Sequence, residues 1–172
     1  MNVAIENESR STLVEFIEHA FSDVRNEGGM RIYDAQLADD YGEESERSLA
    51  CKNFHYERWQ EIPNYIIENH SSILSFFDPS GFRFHLPAYM RYTVMFYDRS
   101  DSASVDHAIF SLYLYEESPL RERTLERFKS FSKAQSAAIV AFLEFMAGVD
   151  RNDICAKEAQ QALDHYWAKR IG

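Results

Sequence analysis

Only two cysteines, Cys51 and Cys155, occur among the 172 residues, and no CxxC pair is present. That excludes a disulfide framework and a cysteine-rich zinc site. Four prolines and six glycines are few turn formers for a chain of this length, so a small number of long elements is expected, which favours helices over many short strands. No stretch approaches the ~20 apolar residues that span a bilayer. Residues 137–143 come nearest and fall far short. The first residues carry neither a basic start nor an apolar run, so no signal peptide is expected and the chain reads as a cytoplasmic protein. Positive charge is also short. Eighteen Lys and Arg against 28 Asp and Glu give a formal charge of −10, which repels a phosphate backbone and an anionic membrane surface. Nucleic acid and membrane are therefore not expected partners; the charge is compatible with a protein partner of basic surface, and acidity that serves solubility alone is the other reading.

The strong catalytic signatures are missing too. There is no GxGxxG or phosphate-cradling loop, no GxSxG elbow and no HExxH. No Glu stands three residues before any of the six histidines, so the carboxylate–histidine pattern of di-iron bundles is absent. The tracts beginning at Asp98 and Asp150 lack the glycine and terminal oxygen ligands of a calcium loop and read as caps or turns. No metal and no cofactor is expected. Cys51 and His55 would share a face of a helix, but no third group orients them, and a buried cysteine beside an incidental histidine is the preferred reading.

What is present is apolar and aromatic. Hydrophobic residues make up 45% and aromatics 15%, ample for the core of one compact domain over residues 1–172. Thr12 and Glu15 have capping-box spacing, and Leu13, Ile17, Ala20, Phe21 and Val24 follow on one helix face, with Gly28 and Gly29 as the stop. Residues 39–46 read as an acidic loop leading into a short helix near 45–54. Trp59, Ile62, Ile66 and Ile67 suggest a helix with Pro63 in its first turn. Residues 87–97, starting at Pro87, residues 105–115, and the run after the Ser132/Gln135 capping box are apolar on nearly every face. These three form the expected central layer, covered by the N-terminal helix and a C-terminal helix over 154–171. Residues 121–129 read as an exposed, charge-paired helix. The expected fold is all-α, a helical bundle. The alternative is α+β, because residues 82–86 alternate with period two and could form a short strand.

The stretch from Pro79 to Met90 is the densest in chemistry, with two prolines, a glycine, aromatics, Arg83 and His85 in a dozen positions. It is expected to follow one fixed path, with a helix opening at Pro87. Arg83 offers a planar fork for a carboxylate or phosphate, His85 titrates near neutrality, and Tyr89 can donate a hydrogen bond. Against this, Arg83 can pair with the acidic cluster and His85 can cap a neighbouring helix. The second candidate surface is that cluster, Asp39, Asp40, Glu43, Glu44 and Glu46, either a solvated loop or a docking surface for a basic partner.

The succession of Trp59 and Ile62, then Leu74-Ser75-Phe76-Phe77-Asp78-Pro79-Ser80-Gly81-Phe82-Arg83-Phe84-His85-Leu86-Pro87-Ala88-Tyr89, then Phe131-Ser132-Lys133-Ala134-Gln135 with Phe142-Leu143, resembles a bacterial family of small proteins catalogued as a domain of unknown function. The resemblance covers residues 12–147 and weakens after Val149. It implies no activity, cofactor or catalytic residue. It does imply that residues 39–46, Trp59 and residues 82–89 belong to one pattern and meet in space. Two functional expectations follow. One is a non-enzymatic interaction module binding another protein through an acidic, aromatic-rimmed surface, or a homodimer through its tyrosines. The other is a small-anion binder or enzyme in which Arg83, His85 and Tyr89 converge in one pocket.

Overall fold

The computed structural model describes residues 3–39, 56–117, 119–149 and 154–171. Asp40, Glu43 and Glu44, the expected helix near 45–54, and the Cys51/His55 pair lie outside the described residues. In order, the chain forms α1 (Val3–Ala20), α2 (Ile32–Asp39), a 3-10 turn (Trp59–Glu61), α3 (Asn64–Asn69), a second 3-10 turn (Ile73–Ser75), α4 (Pro79–Phe96), α5 (Ser104–Phe110), α6 (Arg121–Lys129), α7 (Lys133–Gly148) and α8 (Ile154–Ala162). A π-helical segment (Leu163–Trp167) and α9 (Ala168–Ile171) follow. The fold is all-α. Among the described residues the only β pairing is an isolated bridge between Arg25 and Arg58.

The strand alternative is corrected at its own location, because residues 82–86 lie inside α4. This helix begins eight residues earlier than expected. Asp78 is its N-cap, accepting from the Gly81 amide at 2.8 Å, and Pro79 occupies the first helical position. That is the strongest start signal a sequence offers, since the proline amide would be unpaired there anyway. Pro87 is therefore an interior proline. It removes the amide that would bond the Arg83 carbonyl, a defect of about 3 kcal/mol in an isolated helix. Burial on every side offsets it: Phe82, Phe84, Leu86, Ala88, Tyr89 and Met90 are all at most 1% exposed.

The same Asp78 carboxylate oxygen also accepts from the Met30 amide at 3.0 Å, so one side chain caps α4 and pins the loop that precedes α2. The two backbones come very close here. A Cβ built on Gly29 would lie 2.5 Å from the Gly81 nitrogen, and one on Gly81 would lie 2.6 Å from the Met30 carbonyl oxygen. Gly29 is thus a packing glycine, and α1 has already ended at Ala20. Gly81→Ala, which in an open helix would gain about 1 kcal/mol, is expected instead to lose about 2–3 kcal/mol through overpacking. Chemical denaturation reads the sign directly, and a stabilised variant would refute the close approach.

α1 starts well before Thr12. The Thr12 hydroxyl donates to the Glu8 carbonyl at 2.9 Å, as a threonine inside a helix does, rather than capping an end. By contrast the Ser132/Gln135 box forms as expected, with both reciprocal hydrogen bonds in place at the start of α7. The Trp59 helix is split by Pro63, which is the N-cap of α3 rather than a first-turn residue. α5 stops at Phe110, short of residue 115. Leu112 and Leu114 remain buried, and the Leu112 carbonyl accepts from the Trp167 indole at 2.8 Å. α6 is not wholly exposed: Arg127 and Phe128 are buried, with Arg127 over the Phe82 ring and donating to the Leu74 carbonyl. Burial, with Arg123 nearby, pulls the Arg127 guanidinium down to about 10.

The core joins α1, α4, α5 and α7, with α8 packed along α7 and α5. α1 is tied to the end of α4 by a polar cluster. Arg10 donates to both carboxylate oxygens of Asp98 at 3.0 and 2.9 Å, to Glu6 at 2.7 Å and to the Tyr97 hydroxyl at 2.9 Å.

Candidate functional site

The expected convergence of Arg83, His85 and Tyr89 does not form. On α4, residues 85 and 89 are one turn apart and share a face, whereas residue 83 lies about 200° round from 85. His85 is 2% exposed and stacks on Phe77, rings parallel at 4.2 Å. Its Nδ1 lies 2.7 Å from the Gly81 carbonyl oxygen. A carbonyl can only accept, so Nδ1 carries the proton and donates. Burial drives the imidazole down to about 4, which keeps it neutral. Tyr89 is fully buried and donates to the His70 carbonyl, and burial pushes its phenol far up. Neither side chain can meet a ligand in solvent. Both organise the core.

Trp59 is also a core residue. It has no exposed surface, its indole donates to the Phe21 carbonyl at 2.9 Å, and Arg91 lies over its ring at 5.4 Å. Arg91 in turn donates to the carbonyls of Gln60 and Ile62. Trp59 does belong with α4, as the sequence pattern implies, but through packing. Asp39 is the last residue of α2.

Arg83 alone of the three reaches a concave surface. It shares a pocket of about 430 Å3 with His19, Asp23, Arg25 and Glu27 near the end of α1, and with Ser132, Ala134 and Gln135 at the start of α7.

A second concavity, about 690 Å3, runs between α1 and α7. Sequence reading missed it, because it needs two helices laid side by side. Its floor is Leu13, Phe16, Ala141 and Phe145, and its rim carries Glu8, Ser9, Thr12 and Glu144. Phe16 is 39% exposed, one of only four large apolar side chains so exposed among the described residues. Phe145 is held edge-on by Tyr97 at 5.7 Å, and Tyr97 is itself fixed by Arg10 and Glu6. The one sequence signal for the groove is Phe16, an aromatic off the Leu13/Ile17 stripe of α1.

Among the described residues, no three His, Cys, Asp or Glu side chains come together to hold a metal, and no helix is long and apolar enough to cross a membrane. A family model matches residues 9–171. The chain belongs to DUF6714, a family of unknown function. The DUF6714 match takes in α8 and α9, so the C-terminal helices are part of the family's fold, beyond the 12–147 span of the sequence resemblance. The chain matches no curated protein and no solved structure.

Proposed function

We propose that this DUF6714 chain is a cytoplasmic, non-enzymatic interaction module whose α1–α7 groove receives a basic amphipathic helix of another protein. The observation that carries the reading is an apolar floor, with Phe16 exposed and Phe145 half-buried beside it, framed by the carboxylates of Glu8 and Glu144. A helix lies in such a groove through apolar residues at i, i+3, i+4 and i+7. Lys or Arg beside them would meet the glutamates. The formal charge of −10 steers the same partner and disfavours nucleic acid. Asp39, Asp40, Glu43 and Glu44 add to that steering. A second copy of the chain is the weaker occupant, since Glu8 and Glu144 would oppose their own like.

Panning a display library of amphipathic helices against the immobilised protein tests this. Enriched sequences are expected to combine Lys or Arg with spaced apolar residues and to bind more weakly as salt rises. Phe16→Asp and Glu144→Lys should each weaken them at least tenfold, while Tyr65→Asp, at an exposed aromatic outside the groove, leaves them unchanged. Binding indifferent to Phe16→Asp would end the proposal.

A further inference from the structure

The Arg83 pocket is a site separate from the groove, and it contains a charged donor without an acceptor. Arg83 forms no hydrogen bond or ion pair with any described residue, and its Nε is closed off from solvent. A buried donor left unpaired is costly, the more so when it is charged. Asp23 and Glu27 line the same pocket, yet neither reaches the guanidinium. The arrangement supplies a fork of N–H groups with no acceptor for it among the described residues.

The opposite wall adds donors. In the capping box that opens α7, the Ser132 hydroxyl accepts from the Gln135 amide, and the Gln135 side chain accepts from the Ser132 amide. The two amides between them, Lys133 and Ala134, have no intrahelical acceptor, and Ala134 lines the pocket. The start of a 16-residue helix also favours negative charge. The exposed carboxylates of Asp23 and Glu27 on the α1 side set a limit. A doubly charged phosphate would meet repulsion there, whereas a single carboxylate oriented toward Arg83 and α7 avoids it. At about 430 Å3 the pocket is in the lower part of the size range of small-molecule sites, ~300–1,000 Å3.

We propose that this pocket binds a small organic molecule through one carboxylate, held by the Arg83 guanidinium and by the Lys133 and Ala134 amides. Arg83 is then a binding residue, and His85 and Tyr89 behind it fix α4 from the core side.

Heteronuclear NMR tests this on the intact chain, because an arginine Nε–H gives its own resonance. Sodium acetate and sodium benzoate are titrated at constant ionic strength, with chloride as the control. Saturable shifts of the Arg83 Nε–H and of the Lys133 and Ala134 amides are expected, with chloride producing none. Read on the Lys133 and Ala134 amides, Arg83→Met, which keeps the side-chain bulk, should abolish the shifts, and Arg83→Lys, which keeps the charge but loses the fork, should weaken binding at least tenfold. Phe16→Asp should leave the titration unaltered, which separates this site from the groove. Shifts that stay linear, that chloride reproduces, or that survive Arg83→Met overturn the proposal. So does inorganic phosphate acting on the same resonances at lower concentration than either carboxylate.

Discussion

Trp59→Ala is expected to lower the stability of the fold by about 3–5 kcal/mol, the range for removing a fully buried tryptophan. Three losses combine. The cavity left by an indole with no exposed surface cannot collapse easily between α1, α4 and the 3-10 turn. The Phe21 carbonyl, just past the end of α1, loses one of its two donors and keeps the Val24 amide. Arg91 loses the ring beneath it while still tethered to the Gln60 and Ile62 carbonyls. Trp59→Phe separates these effects. It keeps most of the bulk but removes the indole donor, leaving the carbonyl with the Val24 amide alone, and is expected to lose about 1 kcal/mol. Urea denaturation followed by circular dichroism gives both numbers. A Trp59→Ala protein of unchanged stability would restore Trp59 as a surface binding residue.

The second large effect is on pH dependence. His85 is held neutral, its pKa moved by burial from 6.5 to about 4. Between those two values the unfolded chain binds a proton that the folded chain refuses, so stability rises with pH across the window. The contribution is fully present above pH 6.5 and is lost as pH falls toward 4, for a total of about 3 kcal/mol. Glu6 and Asp98, whose pKa values are lowered by Tyr97 and Arg10 and by Arg10 respectively, have the same sign but lose their contributions below the normal carboxylate range. The two groups of contributions are therefore separable on the pH axis. His85→Phe, which can still stack on Phe77, is expected to remove most of the rise in midpoint temperature between pH 4.5 and 6.5, leaving the share of half-buried His70, whose pKa burial also lowers, and to leave the acid limb below pH 4 in place. A wild-type curve flat over that upper range would show that His85 is protonated in the fold and in contact with solvent.

Much of the architecture is legible in the residues. The scarcity of proline and glycine and the wealth of apolar side chains give helices, and the Ser132/Gln135 box marks the start of α7 without help from anything distant. Asp78-Pro79 carries as clear a start signal, but Pro87 carries the same one eight residues later. Choosing between them requires knowing that the second proline is buried on all sides, a tertiary fact. The candidate site depends on that choice. Read with period two, Arg83 and His85 share a face. Read as a helix, they point apart, and His85 joins Tyr89 in the core. Arg127 shows the same limit, since nothing in a charged segment indicates that one of its arginines lies over Phe82. The α1–α7 groove needs two helices more than a hundred residues apart and leaves only Phe16 as a local trace.

The π-helical turn at Leu163–Trp167 has a consequence for how this chain tolerates length change. A π turn accommodates one residue more than the α-helix around it, so deleting a single residue there would restore a regular helix and leave everything beyond it facing nearly the same way. Arg170, which reaches the Phe131 carbonyl and the Ser136 hydroxyl, would keep its place at the start of α7. Homologues one residue shorter in this turn can therefore fasten their last helix in the same way, whereas a deletion in the regular helix on either side would turn that side chain away.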